Sequence, residues 1–112
     1  MTNKVRLTSH FESRYKRFAK KFASLESDVD ALVEQLEENP ALGESMGAGL
    51  YKIRLAVKSK GKGKSGGFRV ITYVVTETEE GTDIYLLIIY DKSEESNIKK
   101  PQLLALAKTI FT

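Results

Sequence analysis

The second half of the chain alternates apolar and polar residues with a period of two, as β-strands do. Apolar side chains occupy every second position from Tyr51 to Val57, and most of the positions between them are basic. The stretch from Phe68 to Val75 predicts a second strand. Ile84 to Tyr90 is apolar almost throughout, as expected of a strand that is covered on both faces. The pattern therefore predicts a β-sheet in this half.

The first half has the three-to-four-residue spacing of helices. Apolar side chains at helical spacing predict a first helix, and Ser9 and Glu12 are typical of a capping box at its start; the residues that recur are Phe11, Tyr15, Phe18 and Phe22. A second helix is predicted from about Leu25 to Glu38, where Asn39-Pro40 ends it. Since only a few residues join the two helices, we expect an antiparallel helical hairpin.

The remaining segments complete the predicted fold. Lys4 to Leu7 alternates basic and apolar residues and predicts a short edge strand. Glycines at 43, 47 and 49 predict an irregular connection, and Pro101 suits the first turn of a final helix. The order is β-α-α-β-β-β-α, in the α+β class: a small antiparallel sheet with the N-terminal helical hairpin packed on one face and a C-terminal helix. A length of 112 residues predicts one domain, residues 1–112.

Charge is strongly segregated along the chain, although the formal net charge is only +3. Residues 22–51 contain seven acidic residues and no Lys or Arg, whereas residues 45–76 contain no acidic residue and seven Lys or Arg. Positive charge concentrated on one part of a compact fold is typical of proteins with a phosphate-rich partner. The basic segment is therefore where we expect the functional site.

Composition excludes several kinds of chemistry. The chain has no cysteine and a single histidine, His10, so a disulfide framework and a thiolate or histidine-built metal site within one chain are excluded. Nothing beside His10 in the sequence indicates a catalytic role for it. No N-terminal apolar run resembles a signal peptide, and no segment reaches the roughly 18 apolar residues of a membrane span. We expect a soluble cytoplasmic protein with no membrane partner.

Three basic residues on two predicted strands are the first candidates for a site. Lys52 and Arg54 are two residues apart, so their side chains leave the same face of a strand about 7 Å apart. Arg69 lies on the next strand and joins them if the two strands pair in register. Three fixed cations on one sheet face suit a phosphodiester and the extra negative charge of its transition state. The alternative is that they only solvate the open face of an antiparallel sheet.

The segment KSKGKGKSGG is rich in lysine and glycine. It lacks the spacing of a phosphate-binding P-loop and joins two strands, so we interpret it as a basic arm that contacts nucleic-acid backbone; its lysines are Lys58, Lys60, Lys62 and Lys64. The alternative is a solvated hairpin tip. At the end of the last predicted strand, Tyr90 is suited to stacking or proton transfer, although a strand tyrosine more often packs against its neighbours.

Taken in order, these segments resemble the RelE/ParE superfamily of toxins from type II toxin–antitoxin modules. The resemblance is carried by Tyr-Lys-Ile-Arg-Leu, a glycine-bearing loop, Phe-Arg-Val-Ile-Thr-Tyr, and an apolar strand that ends in Tyr-Asp-Lys. The longer motifs look most like a HigB-type subgroup, and the order of elements matches that fold over essentially the whole chain.

The resemblance implies a small metal-independent toxin, with no cofactor, that cleaves mRNA, usually on the ribosome, and is neutralised by a cognate antitoxin. In RelE-like members, basic residues of the sheet position the RNA, aid attack by the ribose 2′-hydroxyl and stabilise the developing charge. By position, Lys52, Arg54 and Arg69 match the family's basic pair and strand arginine.

The sequence departs from the RelE pattern after the last strand. RelE-like enzymes carry a further arginine and a tyrosine there, where a gapless match places Ser93 and Lys99 in this chain. Tyr90 and Lys92 are present instead, as in the HigB-type pattern, and are predicted catalytic residues with the three above. The residue that removes the 2′-proton is left open. Two alternatives remain, a ParE-like toxin that inhibits DNA gyrase and an inactive binding module of the same fold.

Overall fold

The computed structural model describes residues 2–60, 67–77, 81–94 and 98–111, and within them it has five strands and three α-helices. The strands are β1 (Thr2–Leu7), β2 (Glu44–Gly47), β3 (Leu50–Leu55), β4 (Phe68–Glu77) and β5 (Gly81–Asp91). The helices are α1 (Ser9–Lys21), α2 (Leu25–Glu38) and α3 (Lys100–Lys108), and short 3₁₀ turns lie at Lys58–Lys60 and Thr109–Phe111. The predicted α+β class is confirmed.

The strands form one sheet in the order β1-β5-β4-β3-β2. Two details differ from the prediction. First, β1 runs parallel to β5, with Val5 opposite Ile84, so the sheet is mixed instead of antiparallel. Second, the predicted irregular connection contains β2, which pairs antiparallel with β3 after a turn in which Gly47, Ala48 and Gly49 have positive φ. Both strands are specified by partners that the local pattern does not identify.

The N-cap of helix α1 is one residue earlier than the predicted capping box places it. The N-cap is Thr8, whose Oγ1 accepts a hydrogen bond from the Phe11 N–H (3.2 Å) and donates to the carbonyl of Leu86 (2.9 Å). Thr8 therefore joins the helix start to β5, a connection that Ser9 does not make among the described hydrogen bonds.

The helical hairpin covers one face of the sheet, here called the hairpin face. Its core contains apolar residues of α1 and α2 packed on residues of β3, β4 and β5, which are Ile53, Leu55, Phe68, Val70, Ile84, Leu86 and Ile89. Phe68 lies at its centre, with its ring edge-on to Phe18 and Phe22 at centroid distances of 4.8 and 5.3 Å. Removing these rings from water supplies much of the stabilisation of this layer.

Helix α3 packs on the opposite face, here called the α3 face. Leu103 and Ala107 are buried there against sheet residues of the same cluster, which are Leu50, Ile71, Leu87, Ile88 and Tyr90. The sheet is thus covered on both faces near its centre, as the apolar run of β5 predicts. Because side chains alternate along a strand, the basic residues between the hairpin-face positions of β3 and β4 are directed to the α3 face.

Candidate functional site

Three of the predicted residues form one row across the sheet. Arg54 of β3 is the direct partner of Arg69 of β4, and Arg69 is the direct partner of Tyr90 of β5. Directly opposed residues have Cβ atoms about 5 Å apart, so the two arginines are immediate neighbours on the α3 face. The in-register pairing on which the predicted cluster depends is therefore present.

Lys52 lies next to this row, two residues before Arg54 on the same strand and the same face. Its partner on β2 is Glu44, which is exposed. Glu44 precedes the acid-free segment in sequence, and only the pairing of β2 with β3 brings it beside Lys52. Lys52 thus has an anionic cross-strand neighbour that the sequence analysis did not identify.

The row differs in accessibility from one end to the other. Arg54 is exposed and Lys52 is half-buried, whereas Arg69 is 4% exposed and Tyr90 is 1% exposed. The Arg69 guanidinium donates a hydrogen bond from Nη1 to the carbonyl of Phe68 (3.2 Å). Only the β3 end of the row is thus open to a large ligand, and Arg69 adds its charge from behind.

Arg54 also lines two adjoining clefts along the outer edge of β3, with volumes of about 300 and 250 Å³. Helix α2 forms the other wall of both through Gln35. The edge of β3 is open here because β2 pairs with β3 only as far as Lys52. Within the described residues, Arg54 has no ion pair, so its charge is available to an external anion.

The predicted site residue Lys92 lies just beyond the end of β5. Its side chain is exposed, and its backbone N–H donates to the carbonyl of Gly67 (3.3 Å), which precedes β4. Lys92 therefore lies at the same end of β4 and β5 as Arg69 and Tyr90. The structure brings it to the border of the row and not into it.

The lysines of the glycine-rich segment have different environments. Lys58 is exposed, while the Lys60 ammonium forms an ion pair with Asp91 and lies over the rings of Phe68 (5.2 Å) and Phe22 (5.9 Å). Lys60 is thus held on the hairpin face, away from the row. The predicted RNA-contacting residues Lys62 and Lys64 lie outside the described residues.

Asp91, the ion-pair partner of Lys60, was not identified from the sequence. Burial favours the protonated form of this carboxyl, but hydrogen bonds from Lys60 and Ser93 outweigh that effect and lower the pKa of Asp91 below its ordinary value of 3.8. Ser93 donates twice to Asp91 Oδ1, from its N–H (2.9 Å) and its hydroxyl (2.8 Å). Lys60 lies 31 positions from Asp91 in the sequence, so no local pattern indicates their contact.

We expect this carboxylate to make the fold sensitive to acid. Because its pKa is lower in the folded than in the unfolded chain, Asp91 contributes stability that is fully present above pH 3.8. That stability is lost as the pH falls from 3.8 through the lower pKa of the folded state. In denaturant titrations between pH 6 and pH 2, the free energy of unfolding should fall less steeply for Asp91→Asn than for the wild type. Parallel curves for the two proteins would contradict the assignment.

Other kinds of site find no support in the part of the chain that the structure describes. Among residues 2–60, 67–77, 81–94 and 98–111, no group of three or more His, Cys, Asp or Glu side chains is placed to hold a metal ion. In the same residues, no helix has both the length and the apolar character needed to cross a membrane.

The geometry describes a small α+β protein with two neighbouring arginines, Arg54 and Arg69, in a row across its sheet. A family model for the RelE toxin of the RelE / RelB toxin-antitoxin system matches residues 8–111. The structure is also similar to that of a double arginine-to-alanine mutant of E. coli toxin RelE in the free state, with a TM-score of 0.61 and 12% sequence identity over 100% of both chains. At that identity, the likeness shows the shared fold alone.

The match over nearly the whole chain shows that this protein belongs to the RelE toxin family. It is therefore a toxin of a toxin–antitoxin system, and its partner is a cognate antitoxin. The superfamily indicated by the sequence motifs is confirmed. The finer resemblance to a HigB-type subgroup stays a prediction.

Proposed function

We propose that this toxin is an endoribonuclease that cleaves mRNA on the ribosome. The observation that supports it most is the pair of arginines, Arg54 and Arg69, directly opposed on adjacent strands beside Lys52. Like charges opposite one another destabilise a sheet, and a buried guanidinium loses hydration. A sequence that breaks such a local rule usually does so at a functional site.

A bound phosphodiester would bring negative charge to these neighbouring cations. Lys52 and Arg54, at the open end of the row, are proposed to bind the RNA backbone directly. Arg69, behind them in a region of low dielectric, adds positive potential that acts more strongly than it would in water. When the ribose 2′-oxygen bonds to the phosphorus, its proton passes to water, the P–O5′ bond breaks, and the leaving 5′-oxygen takes up a proton from water. The negative charge that develops on the phosphoryl oxygens is stabilised by cations that are already in place. The chemistry proposed here draws on fixed cations and requires no metal or cofactor.

Exposed lysines near the two ends of the row extend the proposed contact along the RNA, since Lys58 lines a cleft with Arg54 and Lys92 follows β5 just beyond Tyr90. Lys58 and Lys92 are accessible, and Lys62 and Lys64 are proposed to add backbone contacts. The ion pair of Lys60 with Asp91 supports a structural role for Lys60. The burial of Tyr90 likewise supports a packing role at the closed end of the row, so we do not assign the proton transfer to it.

Inducing the toxin in cells without its antitoxin tests the proposal. We expect growth arrest together with new 5′ ends inside coding sequences, measured by primer extension on cellular mRNA. The new 5′ ends should appear before any change in plasmid supercoiling. Intact mRNA with altered supercoiling would instead support a toxin that acts on DNA gyrase, and the absence of any growth phenotype would support an inactive binding module.

A further inference from the structure

The carboxylate of Asp91 joins the 3₁₀ turn that follows β3 to the turn that follows β5. It forms the ion pair with Lys60, the last residue of the 3₁₀ turn, and accepts both hydrogen bonds from Ser93. The Asp91 and Lys60 side chains are only 4% and 10% exposed. A buried ion pair of this kind is weak evidence for a stabilising role, because apolar residues of similar size often stabilise as well. Its presence here therefore suggests a role in geometry.

The 3₁₀ turn is fixed from its other side as well. The Ser59 N–H donates to Ser24 Oγ (2.8 Å), and the Lys58 N–H donates to Asp28 Oδ2 (3.2 Å). Ser24 and Asp28 belong to the start of α2, and the Ser24 hydroxyl donates to Asp28 Oδ2 at 2.7 Å. The turn is thus held between the first turn of α2 and the end of β5.

Each of the two segments that Asp91 joins carries an exposed lysine. Lys58 begins the turn that ends at Lys60, and Lys92 stands between Asp91 and Ser93. The backbone of Lys92 is further fixed by its hydrogen bond to Gly67. The Asp91 carboxylate therefore contacts the last residue of the turn that begins at Lys58, and Lys58 lines a cleft together with Arg54. It also contacts Ser93, the residue that follows Lys92 beyond the Tyr90 end of the row.

We propose that Asp91 is a positioning residue that acts through Lys60 and Ser93 to hold Lys58 and Lys92 in place for the RNA backbone. The inference rests on the proposed ribonuclease function and adds to it a residue that does not touch RNA. Because a misplacement of about 1 Å can cost as much as 10²-fold in rate, we expect losing the ion pair to slow cleavage by roughly 10- to 100-fold.

Four variants and one double variant test this in single-turnover cleavage of mRNA on programmed ribosomes. Asp91→Asn and Lys60→Met should each lower the rate at saturating toxin, and the double variant should be no slower than either single variant, because both remove the same contact. Lys60→Arg should recover most of the rate. The matched control is Asp83→Asn, which removes the other described carboxylate ion pair of β5, with Arg6 at 3.4 Å. Its rate should stay within twofold of the wild type.

Amide hydrogen exchange of the same proteins gives a second readout that needs no cleavage. The Lys92 and Ser93 amides should exchange at least tenfold faster in Asp91→Asn and Lys60→Met, and at the wild-type rate in Asp83→Asn. Unchanged exchange at these amides, additive losses in the double variant, or no recovery with Lys60→Arg would overturn the positioning role. If wild-type toxin cleaves no RNA, the ribonuclease proposal fails, while exchange still reports on the ion pair. If the wild type cleaves and Asp91→Asn cleaves equally fast, only the positioning role fails.

Discussion

Replacing Arg54 with glutamine should slow mRNA cleavage on the order of 10²–10³-fold, the usual loss when one charge-stabilising donor is removed from a site. The same change should raise the free energy of unfolding by roughly 0.2–1 kcal/mol, because it relieves the repulsion between Arg54 and Arg69 across β3 and β4. Slower cleavage together with a higher free energy of unfolding is expected only if the Arg54–Arg69 pair is retained for function. Single-turnover cleavage and urea unfolding measure the two effects.

Arg17→Gln is the matched control for this experiment. Arg17 is also an exposed arginine, but it lies on α1, with its guanidinium 4.6 Å from the ring centroid of Phe18. Its replacement should leave the cleavage rate within about threefold of the wild type, since it removes one unit of charge from a helix that covers the opposite face of the sheet. Equal losses in Arg17→Gln and Arg54→Gln would show that overall charge matters and that the row does not.

The largest expected effect on stability is at Tyr90. Tyr90→Ala should lower the free energy of unfolding by about 3–5 kcal/mol, because it leaves a cavity beneath α3 among Leu103, Ile71 and their neighbours. Since the free energy of unfolding of a small domain is only about 5–15 kcal/mol, this substitution removes a large part of it. Tyr90→Phe keeps the ring and should retain both the fold and a cleavage rate within tenfold of the wild type. Denaturant unfolding and single-turnover cleavage provide the comparison.

The pair of Tyr90 variants also separates packing from catalysis. A stable Tyr90→Phe protein whose cleavage is slower by 10² or more would restore Tyr90 as a proton-transfer residue, as the strand-end position predicted. A stable Tyr90→Ala protein would contradict the packing role of the ring.

Much of the fold follows from local patterns. The helical spacing predicts the second helix from Leu25 to Glu38, and the structure has the same bounds. The predicted edge strand and the doubly covered β5 are confirmed as well. These elements were predictable because their apolar faces repeat with one period over many residues.

The errors have a common physical origin in contacts between distant segments. The four residues of β2 have no strong strand pattern of their own, and they become a strand only by pairing with β3. The parallel pairing of β1 with β5 joins positions about 80 residues apart. Neither partner can be identified from the local alternation of apolar and polar residues.

The charged residues of the candidate site were predictable from the sequence, but the burial of their side chains was less so. Alternation correctly places Lys52 and Arg54 on one face, and the pairing of β3 with β4 adds Arg69. Tyr90 is buried against residues of α3, and Arg69 lies between β3 and β5 in the sheet, and neither arrangement is encoded in the sequence pattern of β4 and β5. The same holds for the Lys60–Asp91 pair, whose members look like ordinary surface charges in the sequence.

The central claim is that cations on neighbouring strands act together on a ribonucleotide backbone. It is tested most directly by single-turnover cleavage of a defined mRNA on purified ribosomes by the wild type and by the double variant Lys52→Gln/Arg54→Gln. We predict cleavage by the wild type and a rate at least 10²-fold lower for the double variant, with far-UV circular dichroism unchanged. Equal cleavage by the two proteins, or no cleavage by the wild type, would contradict it.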